Sequence, residues 1–394
     1  MIFPPVLQIP DPILNIARSL EHAGFEAWCV GGSLRDRLLG HPQSDFDIAT
    51  SATPDEVQRL FPRTVAVGVK YGTVGVLDPD RVLHEVTTFR RDVSTDGRHA
   101  VVQYGVSLDD DLARRDFTIN AIAYHPLRHE WRDPFAGKQD LEGRLIRAVG
   151  NPAQRFAEDY LRILRAFRFS ARFEFAIDPQ TWSAARAAAS GLKQLSAERV
   201  RDEWFKGLQT ARSVRRFASL WREAGAASVW IPELEQGEKQ TSPEPPASVR
   251  DPVLLTAFLT QAPSTVLRRL KASNAEIERA LAIERGPEQP PESFPTSVRR
   301  WLSQVGPAAP DLAALWMLRM GKEPAWSPVV EAIRERGDPL TRADLAVSGN
   351  DVQALGASGP DVGRVLSALL DQVLEEPSRN QRDQLLHQAR KLLQ

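Results

Sequence analysis

The sequence predicts an α+β fold: a small head in which a mixed sheet alternates with helices, then an elongated, all-helical remainder. Three observations carry this. Strand-like and helical runs alternate up to about residue 145. Beyond that point the apolar residues recur at helical spacing almost throughout. Pro-rich breaks at 243–246 and 287–295 cut the helical part into blocks. At 394 residues the chain exceeds one ordinary core. We divide it into a head (1–145), a neck (146–205), a body (206–338) and a tail (339–394), with no internal repeat.

Within the head, residues 11–23 read as a helix, because Ile13, Ile16, Ala17 and Leu20 share one face and Gly24 offers a stop. Residues 25–30 read as a buried strand. Gly31 and Gly32 then turn the chain into a short helix over 33–39, ended by Gly40. Residues 45–49 alternate polar and apolar, the period of a strand, and 73–77 and 82–89 are strand-like. A polar loop is expected over 90–99 and a helix over 116–124.

Composition narrows the class. Hydrophobic residues make up 42% and charged residues 26%, a globular balance. No run of about 18 apolar residues occurs, so no membrane partner is expected. The opening MIFPPVLQIPDP lacks the basic-then-apolar order of a secretory leader. The single cysteine, Cys29, falls in a strand-like run, which excludes a disulfide framework and a Cys-type zinc site and favours a cytoplasmic location. The seven histidines show no metal-ligand spacing. The net charge of −1 neither requires nor excludes a nucleic acid, since the placement of charge decides that.

Two motifs suggest chemistry. Asp45 and Asp47 stand two apart on one predicted strand, so both carboxylates face one side, roughly 6–7 Å apart, while Phe46 and Ile48 face the core. Such a pair suits Mg²⁺, which takes oxygen ligands and keeps waters. Two ions so held can activate a hydroxyl and grip a triphosphate for in-line attack. Glu85, an acid inside a strand, is the candidate third carboxylate. A D-x-D pair alone is more often a solvated strand face. Its neighbour, Gly31-Gly32-Ser33-Leu34-Arg35-Asp36, sharpens the reading. There the glycines let a phosphate approach the backbone. Gly32, Ser33 and the helix start supply N–H donors, and Arg35, one turn on, reaches an anion.

The second motif spans 155–172, read as helix. Phe156, Tyr160, Ile163, Leu164 and Phe167 form an apolar stripe beside a ridge of Asp159, Arg162, Arg165 and Arg168, spaced by three. A carboxylate accepts from an exocyclic amine, and a guanidinium donates to ring nitrogen and carbonyl groups. Asp159 with Arg162 could thus accept C or A and reject U and G with no template. Glu158 is placed to orient Arg162. Taken alone, the same ridge fits an exposed face laced with ion pairs equally well.

GGSLRD followed by DFDIAT resembles the polymerase β-type nucleotidyltransferase superfamily. RRDFTINAIAY at 114–124, DPFAGKQDLEGRLIRAVG at 133–150 and RFAEDYLRILRAFRFSARF at 155–173 resemble the class II tRNA nucleotidyltransferase and bacterial poly(A) polymerase family. The likeness is close over about 25–205, weak through LKASN at 270–274, and returns at LAVSGNDVQALGASGPDVG, 345–363. It implies a polymerase β-like head with Asp45 and Asp47 as the catalytic, metal-holding pair and Glu85 assisting. It implies Arg115 on the nucleotide phosphates and Asp116 on the ribose hydroxyl, Asp116 also being a helix cap. Asp159 and Arg162 would read the base; Arg165 and Arg168 would serve the triphosphate or brace the readers. Asn120 reads as structural. The 90–99 loop resembles the flexible loop that helps relatives switch from C to A addition. Its near-normal length favours full CCA addition over CC alone, although Ala100 stands where relatives often have proline.

The resemblance therefore implies tRNA, CTP and ATP as partners and Mg²⁺ as cofactor, with CCA added to the tRNA 3′ end and pyrophosphate released. A-adding, CC-adding and poly(A)-adding relatives are the alternatives. The closing DQLLHQARKLLQ lacks the basic extension of the last of these. A non-catalytic RNA-binding scaffold is the remote alternative, disfavoured by the intact aspartates and Gly-Gly turn. No adjacent His-Asp pair marks an appended phosphohydrolase domain. Further along, Arg268, Arg269 and Lys271 near Ser273-Asn274, and glycine-bearing helix starts at 349–351 and 359–363, suit backbone phosphate or are ordinary helix turns. Trp301, Trp316 and Trp326 read as core. The sequence carries no signal for oligomeric state.

Overall fold

The computed structural model describes residues 3–41, 46–68, 71–95, 100–235 and 242–394. Asp45 and the 96–99 part of the polar loop lie outside these residues. The chain forms two compact units, Met1–Glu235 and Gln236–Gln394.

The first unit opens with α1 (Asp11–His22), β1 (Ala27–Val30), α2 (Gly32–Leu38), β2 (Asp47–Thr50), α3 (Pro54–Leu60), β3 (Thr64–Gly68), β4 (Thr73–Leu77) and β5 (Leu83–Thr88). It continues with β6 (Arg90–Thr95), β7 (Ala100–Tyr104), α4 (Leu108–Ala113), β8 (Ala123–His125) and β9 (Glu130–Arg132). The main sheet runs β3-β4-β5-β2-β1-β8-β9. Within this sheet, among the described residues, only β2 and β5 pair in parallel. Both faces are covered. Ile13, Ile16 and Leu20 of α1 pack with Cys29, Ile48, Val74 and Val86 on one side. Leu108 and Leu112 of α4 pack with Trp28, Val30, Ala49 and Phe89 on the other. Burial and the nearby Asp47 charge push the Cys29 thiol well above its usual range. The cysteine is therefore an inert strand residue.

Two expectations for this region are corrected, and one helix start is added. The helix predicted over 116–124 is absent: Thr118–Asn120 makes one 3₁₀ turn, and β8 pairs with β1 through Ala123 opposite Val30. Residues 116–125 are buried on every side, so their apolar spacing marks no helix face. The loop expected at 90–99 is instead, in its described part, strand β6 paired antiparallel with β7. The acidic triplet Asp109–Asp111 opens α4, where Ser107 and Asp110 form a capping box, a helix start that the sequence reading passed over.

The first unit continues with α5 (Gly137–Glu142), β10 (Leu145–Ile146), α6 (Pro152–Glu158), α7 (Leu161–Phe173), β11 (Ala176–Ile177), α8 (Pro179–Ala187), α9 (Ala197–Thr210), α10 (Val214–Glu223) and α11 (Ala226–Trp230). The single helix expected over 155–172 is broken. Asp159 is extended, with φ −156° and ψ 105°, and its Oδ1 accepts the Leu161 N–H at 3.0 Å. That bond satisfies one of the free amides of the new helix start. Phe167, Trp204, Phe217 and Trp221 interlock behind α7 in the core of this half.

The second unit has helices and no strand among its described residues: α12 (Pro252–Leu259), α13 (Pro263–Arg269), α14 (Asn274–Arg285), α15 (Pro295–Val305), α16 (Ala309–Met320), α17 (Ser327–Arg336), α18 (Gly349–Ala354), α19 (Pro360–Glu375) and α20 (Arg382–Leu393). Trp301 and Trp326 are buried and pack against each other. Trp316, expected in the core, is only half-buried, with its indole N–H donating to Gln289. Val352, Val365, Leu369, Val373 and Leu385 close a core around α18–α20. Ser348 caps α18 together with Asp351. No helix among the described residues is long and apolar enough to cross a membrane.

Candidate active site

The site begins where β1 ends. Gly31 follows Val30 with φ +79° and ψ −142°, a conformation that is strained for any residue with a Cβ. A Cβ there would sit 2.9 Å from Arg115 Nη1 and 3.6 Å from Asp47 Oδ2. The turn, the arginine and the carboxylate therefore crowd one point. Asp47 lies opposite Val30 in the β1–β2 register. The β2–β5 register, Ile48 with Val86, sets Asp47 beside Glu85 one rung back, on the same face of the sheet. Phe46 and Ile48 are buried on the other face. Ser33 is buried, with its hydroxyl turned back to the Val30 carbonyl.

The turn Thr118–Asn120 brings its own set of charges. Asp111, at 1% exposure, accepts from Arg114 and Arg115. Burial raises its pKa, but the two guanidiniums outweigh that and hold it low. Asp116 caps no helix. Its Oδ1 accepts from the Phe117 amide and Asn120 Nδ2, each at 2.8 Å, and its Oδ2 from Arg165 Nε at 2.7 Å. Burial would raise the Asp116 carboxyl, yet Arg165 and these donors hold it down at about 2.

Later in the same unit, α7 presents its arginines toward the same space. Phe169 and Phe173 stack at 5.9 Å, and the Arg35 guanidinium lies 4.8 Å from each ring centroid. Arg165 and Arg168 also lie over Phe169. Cation–π contact and carboxylate partners together let so many guanidiniums share one buried region. Arg168 is buried and donates to Glu203 at 2.6 Å. Arg162 donates to Glu158 at 2.6 Å, as the sequence suggested, and also to the Arg114 carbonyl. Asp159 Oδ2 accepts from Arg199 of α9 at 2.7 Å.

These groups line one cavity of about 530 Å³. It gathers Gly32, Arg35, Asp47, Arg115, Asp116, Asp159, Arg162, Arg165 and Arg168, all expected from sequence, with Gly31, Arg114, Asn120, Phe169, Arg172 and Arg199. Ser33 and Glu85 are not among its described lining residues, and Asp45 lies outside the described residues. Eight arginines face three aspartates in that lining, a charge balance suited to a polyphosphate. Arg199 and Asp111 went unread because each acts through a fold contact. Their only sequence signals were an acidic triplet before RRD and an arginine in the SAERV helix start. No described group of three acidic, His or Cys side chains is arranged to hold a metal. The donors that fit a hard divalent cation are the Asp47 carboxylate and its rung neighbour Glu85, both oxygen ligands.

A sheet that carries an acidic strand beside a Gly-Gly turn, opening onto an arginine-lined pocket, is the head of a nucleotidyltransferase. Residues 27–147 match the family model described as poly A polymerase head domain. Residues 174–237 match one described as a probable RNA and SrmB-binding site of polymerase A. The chain belongs to the CCA-adding enzyme family. It is 35% identical to the CCA-adding enzyme of Streptococcus mutans over 401 aligned residues, 96% of each chain. It is 34% identical to that of Latilactobacillus sakei, over 96% of this chain and 97% of the other. The crystal structure of the Bacillus stearothermophilus CCA-adding enzyme in complex with CTP superposes with a TM-score of 0.79 at 32% identity, covering 97% of this chain and 98% of that one. A Thermotoga maritima CCA-adding enzyme complexed with tRNA shares the fold at a TM-score of 0.65 and 18% identity.

Proposed function

We propose that this chain adds CCA to the 3′ end of tRNA without a template, using CTP and ATP. One observation carries the reading: a single cavity joins the Asp47 strand and Gly31 turn to Arg115, Asp116, Asp159 and Arg162, so phosphate, ribose and base contacts converge. The names of the full-length relatives, and CTP in the similar Bacillus structure, support it. The 3′-hydroxyl oxygen of tRNA attacks the α-phosphorus. The bond from that phosphorus to the bridging oxygen breaks, pyrophosphate leaves, and the hydroxyl proton passes to solvent. Asp45 and Asp47, with Glu85 assisting, would hold Mg²⁺, which would supply hydroxyl activation and charge neutralisation. Gly32 of the turn, with Arg35 and Arg115, faces the phosphates, Ser33 contributes through its backbone N–H alone, and Asp116 holds the ribose hydroxyl. Asp159 and Arg162 read the amine-bearing edge of C or A. Each Asp159 oxygen keeps a second lone pair beyond its protein donor. Arg165 and Arg168 brace this set through Asp116 and Glu203.

The division into head, neck, body and tail, with tRNA held by the tail and the reaction in the cytoplasm, completes the proposal. A gel extension assay tests it, using Mg²⁺, tRNA ending at the discriminator base, C, CC or CCA, and CTP, ATP or both. Growth by three nucleotides that stops at CCA is expected, and none from Asp45→Ala with Asp47→Ala. One A on CC-ended tRNA alone, a stop at CC, or long A tails would reassign the chain to the A-adding, CC-adding or poly(A) alternative.

A further inference from the structure

Asn120 looks structural in the sequence, yet every polar group of its side chain is engaged inside the nucleotide cavity. It is 5% exposed. Its Oδ1 accepts from Arg35 Nη1 of α2. Its Nδ2 donates to Asp116 Oδ1 at 2.8 Å, and its backbone carbonyl accepts from Arg115 Nη1 at 3.4 Å. Asp116 in turn accepts from Arg165 of α7. An unbroken line of bonds, Arg35–Asn120–Asp116–Arg165, thus runs from the helix behind the Gly-Gly turn to the helix that carries Arg162.

We propose that Asn120 is a positioning residue for the nucleotide: its amide joins phosphate-facing Arg35 to ribose-facing Asp116 and fixes the spacing between them. This rests on the reading of the site as a CTP and ATP site. The chemistry selects an amide, because the position needs an acceptor toward a guanidinium and a donor toward a carboxylate, within one short side chain. Aspartate offers no donor at neutral pH, alanine offers neither group, and glutamine is one methylene too long. The other charges facing the position are Asp36, paired with Arg35, and Arg115. Asp140 of α5 is turned to Thr118 and Arg147 instead.

Full-length protein and its Asn120→Ala and Asn120→Asp variants are compared in three ways. CTP affinity is measured by calorimetry without tRNA, nucleotide KM and tRNA Kd by extension and filter binding, and Tm by melting. Asn120→Ala is expected to weaken CTP binding and raise the KM for CTP and ATP roughly tenfold or more, with tRNA Kd unchanged. In Asn120→Asp the new carboxyl faces Asp116. Relative to wild type at the same pH, its loss should shrink at pH 6 compared with pH 8, as a proton restores the donor. Wild-type CTP affinity in Asn120→Ala would overturn the proposal. So would an Asn120→Asp pH profile parallel to wild type, or losses that vanish below a lowered Tm. A wild-type protein that binds CTP but extends no tRNA would sink the proposed reaction and leave the calorimetric test of Asn120 standing.

Discussion

At Asp159, Arg199 and the Leu161 amide each hold one oxygen, which fixes the carboxylate plane before any base arrives. Discrimination by such a group comes from leaving a partner unpaired when the wrong base enters. Asp159→Ala should therefore lower the preference for CTP and ATP over UTP and GTP by roughly 10- to 100-fold, with metal binding intact. Competitive incorporation measures the ratio, and an unchanged preference sinks the base-reading role. Arg199→Ala should shift the same ratio in the same direction but less, because the carboxylate stays while its orientation loosens. Asp116 makes a different prediction. Its folded pKa of about 2 lies below the unfolded value of 3.8. Its contribution, on the order of 2 kcal/mol, is thus fully present above about pH 4 and is lost as pH falls toward 2. Asp116→Asn should flatten that part of the acid-unfolding curve; an unaltered curve would show that Arg165 gains nothing from the pair.

Among the elements, those legible in sequence had either one wet side or a short apolar run bounded by turns, as the wholly buried β1 does before Gly31. The helix α1 shows its apolar stripe because its other face meets water, and β4 and β5 stand out as short apolar runs between turns. Residues 116–125 were misread because they are enclosed on all sides, so periodicity carries no direction there. The break at Asp159 was missed because it depends on one side-chain bond to Leu161, not on a Gly or Pro. Gly31 was read as a turn, and the structure adds why the residue must be glycine. Gly31→Ala forces a side chain into a left-handed conformation, a cost of about 1–3 kcal/mol. It also displaces Arg115, whose Nη1 would lie 2.9 Å from the new Cβ. Melting should show a modest loss of stability, and extension kinetics a fall of at least roughly tenfold in kcat/KM. Equal losses in Gly40→Ala, another positive-φ glycine but one whose Cβ would meet nothing within 4 Å, would show that backbone strain alone is responsible.

For the molecule as a whole, the cavity residues read from sequence came from four places, 31–35, Asp47 of the D-x-D pair, 114–116 and 159–168, each with its own spacing signal. The groups that hold them, Asp111, Glu203 and Arg199, come from α4 and α9. Arg199 lies 40 residues from Asp159 and becomes its partner only through the packing of α9 on α7. First contacts are thus written locally, whereas their supports are written in the fold. All the described cavity residues, 31–199, also belong to one compact unit. The glycine-bearing helix starts of α18 and α19, proposed to meet tRNA phosphate, belong to the other. A fragment of residues 1–235 should therefore fold and bind CTP as the full chain does, by calorimetry. Its KM for tRNA should rise roughly tenfold or more, with a shallower dependence on salt as phosphate contacts are removed. A fragment that binds CTP and extends tRNA with an unchanged KM would place the whole tRNA interface on the first unit. A folded fragment that no longer binds CTP would show that the second unit completes the nucleotide site.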